Sequence, residues 1–184
     1  MSYAAIIHGS QKRKGTAIPY ISHLMSVSAL VMEFGGDEDQ AIAGLLHDAL
    51  EDCGLEHEKV ISANWGERVA QIVRDCTDGV PDSEGKKLEW HTRKQRYLEH
   101  LGQVSSDSLL VSACDKLHNA RTIVADLCSG HDVFARFKAG RSGTVWYYKS
   151  LLETFAERFP GTSPILSELA RSIGAMEQLA TAPV

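Results

Sequence analysis

A chain of 184 residues, 43% of them apolar, is long enough to bury one sizeable core and short for two. Its net charge of −5 argues against bulk nucleic-acid binding, which needs a basic footprint to displace phosphate counterions, but leaves room for a small anionic ligand held by local basic clusters. No apolar run approaches the ~20 residues that cross a bilayer, and Met1-Ser2-Tyr3-Ala4-Ala5 lacks the basic start and apolar stretch of a signal peptide.

Helical rather than alternating periodicity runs through almost every segment. A short helix is expected near residues 2–8, then a polar, basic loop from Gly9 to Pro19. Tyr20 to Phe34 reads as an apolar helix stopped by Gly35-Gly36. Asp37 caps the next helix with Gln40 in capping-box spacing, and that helix is expected to run to about Cys53, where Gly54 ends it. Two more helices follow near 56–64 and 66–77, broken at Trp65-Gly66. Turn chemistry makes Asp78 to Asp82 a loop. A charged helix is expected at 86–101 and a long apolar-periodic one at 107–127. Gly130, Gly140 and Gly143 punctuate the next stretch, and helices at 144–159 and 164–180 close the chain. No strand is predicted, and no linker is long enough to divide domains. The expected fold is all-α, a single helical bundle over residues 1–184. Cys53, Cys76, Cys114 and Cys128 show no CxxC spacing, so they read as reduced thiols of a cytoplasmic protein.

The chemistry concentrates in Gly44 to Asp52, where His47, Asp48, Glu51 and Asp52 fall at i, i+1, i+4 and i+5 of an otherwise buried segment. Ionisable groups persist in such places when they hold a metal or move protons. His23 sits early in an apolar helix and Asp115 in another. Each has a plain structural alternative, a hydrogen-bonded core histidine for His23 and a surface pair with Lys116 for Asp115. Together, two imidazoles and two carboxylates form a mixed nitrogen and oxygen set suited to Mn²⁺ or Fe²⁺, without the thiolates of a structural zinc site.

Three linked motifs carry a family resemblance. Gln11-Lys12-Arg13-Lys14-Gly15 with Pro19-Tyr20-Ile21-Ser22-His23, then Leu45-Leu46-His47-Asp48-Ala49-Leu50-Glu51-Asp52, then Asp115-Lys116-Leu117-His118-Asn119-Ala120-Arg121-Thr122, resemble the RelA/SpoT-type alarmone hydrolase domain over most of residues 5–150. The length corresponds to a free-standing small alarmone hydrolase with an HD-domain bundle. The resemblance implies one Mn²⁺ held by His23, His47, Asp48 and Asp115, with Glu51 and Asp52 as the catalytic acidic pair. It implies removal of the 3′-pyrophosphate from a guanosine or adenosine alarmone. Arg13 and Lys14 would meet the nucleobase and a nearby phosphate, Arg93 and Lys94 the pyrophosphate, Asn119 and Thr122 the ribose or base. Arg141 and Tyr147 or Tyr148 would close over the nucleoside. The implied partner is a small nucleotide, with no nucleic acid and no membrane; a homo-oligomer is compatible with it.

The chain departs from the long enzymes by one extra residue between Lys14 and His23 and by Ser22-His23-Leu24 in place of their His-Pro step. Base preference is therefore left open. So are two other HD-type readings, an NADPH 2′-phosphatase and a deoxynucleotide phosphatase.

Overall fold

The computed structural model describes residues 1–79 and 88–181. Among them the architecture is all-α: α1 Ser2–His8, α2 Ile21–Glu33, α3 Glu38–Leu46, α4 His57–Trp65, α5 Glu67–Cys76, α6 Trp90–Leu101, α7 Ser106–Cys128, α8 Gly140–Arg158 and α9 Pro164–Thr181. No strand occurs among the described residues; a single antiparallel bridge, Lys12 to Pro19, pins the basic loop. No described helix is long and apolar enough to cross a membrane.

The longest helix, α7, is the centre. It packs against α2, α3, α5 and α9, and more lightly against α8. Its Val111, Cys114, Leu117 and Ala120 are fully buried, facing Leu24 and Val27 of α2, Val69 and Val73 of α5, and Leu169 and Met176 of α9 in one core. Burying a side chain such as Leu117 contributes about 1.5–3 kcal/mol. Ser105 caps α7 through Ser108 N–H, and the predicted capping box at α3 is complete, with Gln40 N–H on Asp37 Oδ1 and Asp37 N–H on Gln40 Oε1.

Three expectations are corrected. The helix of the acidic stripe does not run unbroken to Cys53: α3 stops at Leu46, His47 and Asp48 form a turn, and Ala49–Cys53 is a π turn closed by Gly54 N–H on Ala49 O at 3.2 Å. Tyr20 bonds to Asp48 just before this turn and Gln11 to Asp52 within it. Gly54 has φ 127, which lets the chain leave this turn. The helix expected from 144 begins at Gly140, so Gly143 is interior, and a short 3₁₀ turn, Phe134–Arg136, precedes it. α6 starts at Trp90; the loop expected at 78–82 and the helix start at 86 lie largely outside the described residues.

Gly44 sets how closely α2 and α3 approach. A Cβ there would stand 3.1 Å from Ser28 Cα and 3.2 Å from its nitrogen, backbone that cannot swing aside. The close approach also brings the histidine of α2 beside the one that follows α3. Gly44→Val is therefore expected to lower stability by about 1–3 kcal/mol, read from urea unfolding, and to weaken divalent-ion binding in parallel. An unchanged midpoint would refute the close-packing argument.

Candidate metal centre and cationic cleft

His23 comes from the first turn of α2, His47 and Asp48 from the turn after α3, and Asp115 from the middle of α7. The three elements meet at the seam of the core, where His23 and His47 are each 1% exposed. His23 Nε2 lies 3.2 Å from Asp115 Oδ1 and 3.6 Å from Asp48 Oδ2. His47 Nε2 lies 3.0 Å from Asp48 Oδ2 and 3.6 Å from Asp115 Oδ1. Ligand atoms of His23, His47 and Asp48 all fall within 4.8 Å of one another.

The outer bonds of these rings fix which nitrogen faces inward. His47 Nδ1 stands 2.8 Å from Gly44 O, and a carbonyl only accepts, so Nδ1 carries the proton. Its buried Nε2 has no aligned hydrogen-bond partner, although it presses against the Asp48 oxygen. A lone pair facing carboxylates in a buried space calls for a cation between them. Against the cost of burial, Asp48 and Asp115 hold His47 well above its ordinary pKa, which is the same demand stated electrostatically. Burial opposes the charges of Asp48 and Asp115 too, yet the neighbouring His47 and His23 imidazoles hold Asp48 well below the usual carboxylate range. Lys116 and the two imidazoles do the same for Asp115. The donor set thus fits a divalent ion in both geometry and charge.

A second ring of groups orients these donors; all lie in the quoted motifs, but their role as partners of the donors was not assigned from the sequence. His23 Nδ1 pairs with His118 Nδ1 at 2.8 Å. Burial, then His23 and Arg13, push His118 down to about 4, so it is neutral; where its Nδ1 accepts from His23 Nδ1, His23 Nε2 is left to ligate. Tyr20 donates its hydroxyl to Asp48 Oδ2 at 2.6 Å. Lys116 and Asn119 each donate to Asp115 at 2.6 Å, and Arg13 donates to Asn119 Oδ1 at 2.6 Å. His118 and Lys116 lie inside the recognised α7 motif and Tyr20 inside the Pro19-to-His23 motif; only a fold shows what each touches.

Glu51 and Asp52 sit on the π turn. Glu51 Oε1 is 3.7 Å from Arg93 Nη1. Burial and the Asp48 charge push Asp52 up, the hydrogen bond from Gln11 pulls it down, and Glu51 adds to the rise.

Beyond Tyr20, Lys116 and Asn119 opens a cleft of about 960 Å³. Arg13, Lys14, Arg93, Lys94, Asn119, Thr122 and Tyr147 all line it, as does Tyr148, whereas Arg141 lies exposed at the start of α8 over the Phe134 ring. The spacing of Asp115, Asn119, Thr122 and Asp126 keeps the donor and the cleft wall on one face of α7. Arg93 and Lys94 pair with Asp78, and Lys94 lies 4.7 Å from the Tyr147 ring centroid. Burial, then Lys116, push Lys94 down to about 8. Arg136 and Lys138 add further positive charge. The acidic chain thus gathers cations where an anion would enter.

Residues 1–145 match the model of the HD domain. Over 133 residues the chain is 32% identical to the guanosine-3′,5′-bis(diphosphate) 3′-pyrophosphohydrolase MESH1 of Drosophila melanogaster, spanning 71% of this chain and 70% of the fly protein. It is 30% identical over 167 residues to a probable enzyme of the same activity from Synechocystis sp., spanning 85% of this chain but only 21% of that relative. The structure resembles a metazoan ortholog of SpoT that hydrolyzes ppGpp, with a TM-score of 0.73 at 26% identity over 97% of this chain and 93% of the other.

Asp48→Ala is expected to abolish divalent-ion retention, measured by elemental analysis of the purified protein. His118→Phe should weaken ion binding about 10–100-fold in calorimetric titration while leaving the fold intact. Wild-type affinity in His118→Phe would show that the ring does not orient His23.

Proposed function

The chain belongs to the HD-domain family, and from that premise we propose that it is an Mn²⁺-dependent pyrophosphohydrolase that removes the 3′-pyrophosphate from a nucleotide alarmone, (p)ppGpp or (p)ppApp. The observation that carries the reading is the convergence of His23, His47, Asp48 and Asp115 near the Glu51-Asp52 pair, behind the Tyr20, Lys116 and Asn119 wall of a cleft rich in lysine and arginine. The named activity of the fly and metazoan relatives supports the same reaction.

In this reading His23, His47, Asp48 and Asp115 hold the ion. When bound, it supplies Lewis acidity, which lowers the pKa of water and offsets phosphoryl charge. Hydrolysis forms a bond between water oxygen and the phosphorus attached to the ribose 3′ oxygen, and breaks that phosphorus–oxygen bond. Glu51 and Asp52 orient the water and take its proton, and a proton returns to the ribose oxygen as pyrophosphate departs. Asp52, whose carboxyl is raised above its ordinary value, suits this exchange better than an unperturbed acid would.

Charge is the other half of the task. Arg93 and Lys94 offset the pyrophosphate, the arginine through its planar fork and the lysine as a compact charge. Substrate phosphate would displace Asp78 from this pair, exchanging one anion for another. Arg13 and Lys14 face the nucleobase and a neighbouring phosphate, and Asn119, Thr122 and Tyr147 line the nucleoside wall. The exposed Arg141 belongs at the mouth, where it closes over bound nucleoside.

Glu51→Gln should keep its metal and lose turnover by about 10²–10⁴-fold, the range for a positioned acid–base group. The test uses Mn²⁺-loaded protein with guanosine and adenosine alarmones in parallel, identifying the released fragment by mass. Orthophosphate in place of pyrophosphate would overturn the assigned reaction.

A further inference from the structure

The hydrogen bonds that reach Asp52 begin outside the metal centre. Asp52 stands at the exposed edge of the π turn, where an unheld carboxylate samples several rotamers. Gln11, on the basic loop, donates Nε2–H to Asp52 Oδ2 at 2.7 Å. A carboxylate only accepts, so this bond sets the orientation of the amide and turns Oε1 toward His8. His8 Nδ1 lies 2.7 Å from that oxygen, which also only accepts, so the ring carries its proton on Nδ1. Cys53 Sγ, 3.7 Å from the same nitrogen, lies 3.5 Å from Ile7 O, an acceptor for its own proton.

His8 is 4% exposed, and its Nε2 is buried without a hydrogen-bond partner. Leaving an acceptor unpaired in the core is costly, and the bond to Gln11 is what the ring gains by it. The ring also lies parallel to Tyr20, centroids 5.3 Å apart at 20°, and Tyr20 donates to Asp48 Oδ2. One stacked pair therefore ends on both acids: Tyr20 on Asp48 directly, His8 on Asp52 through Gln11.

We propose that Gln11 is a positioning residue of the hydrolytic site, its amide locked by His8 so that Oδ2 of Asp52 is tied down and Oδ1 meets the water and its proton. The inference rests on the role given to Asp52 above. Gln11 bonds to none of the four metal donors and does not line the cleft, so its loss slows chemistry and spares ion and nucleotide binding.

The test compares the full chain with Gln11→Leu, the isosteric non-donor Gln11→Glu, and His8→Phe, which keeps the stack on Tyr20. Pyrophosphate release is measured across nucleotide concentration with Mn²⁺, Mn²⁺ affinity by calorimetry, and the His8 tautomer by nitrogen-15 NMR. Both Gln11 variants should lose about 10–100-fold in kcat, with KM and Mn²⁺ affinity within about twofold of wild type. His8→Phe should show a smaller loss, and wild-type His8 should carry its proton on Nδ1. Wild-type kcat in Gln11→Leu, a matching loss of KM or ion affinity, or a proton on His8 Nε2 would each overturn the proposal. If the wild-type protein releases no pyrophosphate at all, the functional reading fails by itself. The His8 tautomer then decides the hydrogen-bond chain independently.

Discussion

Two imidazole nitrogens and two carboxylate oxygens, drawn from three separate elements, meet in a buried seam with nitrogen-to-oxygen distances of 3.0–3.6 Å. Such a cluster is unfavourable without positive charge among its members, because burial removes the water that would otherwise screen it. Much of the surrounding architecture serves that one arrangement. Gly44 lets α2 and α3 approach closely. The π turn interrupts a helix whose straight continuation would have kept His47, Asp48, Glu51 and Asp52 in one stripe. The central position of α7 carries Asp115 into the core while its next turns extend along the cleft.

The outer hydrogen bonds decide what the donors can do. A histidine offers a metal only the nitrogen that its neighbours leave unprotonated. Gly44 O settles this for His47, and for His23 the partner at Nδ1 is His118. Tyr20, Lys116 and Asn119 bond to the ligand carboxylates from the side that faces the cleft, so the wall between ion and substrate is itself made of polar contacts. An anion reaching that wall would meet hydrogen-bond donors first, ahead of the imidazole–carboxylate cluster behind them. A chain of net charge −5 thus concentrates lysines and arginines along one cleft, where local charge rather than the net charge sets the potential.

Periodicity and punctuation were enough to place most helices. Asp37 with Gln40 and Gly35-Gly36 act through neighbours a few residues away, so their effect is readable locally. The π turn was not readable, because a run such as Leu45 to Cys53 has the same pattern whether its hydrogen bonds close four or five residues back. Gly140 and Gly143 misled for a related reason. Glycine is a helix breaker only on average: Gly140 takes the first position of α8 with φ 61, and Gly143 lies in its first turn beside Trp90 of α6.

By itself the sequence determined the helical class, the order of the motifs and the chemical types present: imidazoles and acids spaced for a metal, basic side chains spaced for phosphate. These follow from local propensity and from side-chain chemistry, both of which survive in a linear chain. Only the tertiary structure decided which nitrogen of each histidine faces inward, that His118, Tyr20 and Lys116 brace the donors, that His8 and Gln11 reach Asp52, and that Arg141 stands outside the cleft lining. Those are contacts between residues up to 106 positions apart, as for Arg13 and Asn119, and their existence depends on how the helices pack rather than on any neighbour in the chain.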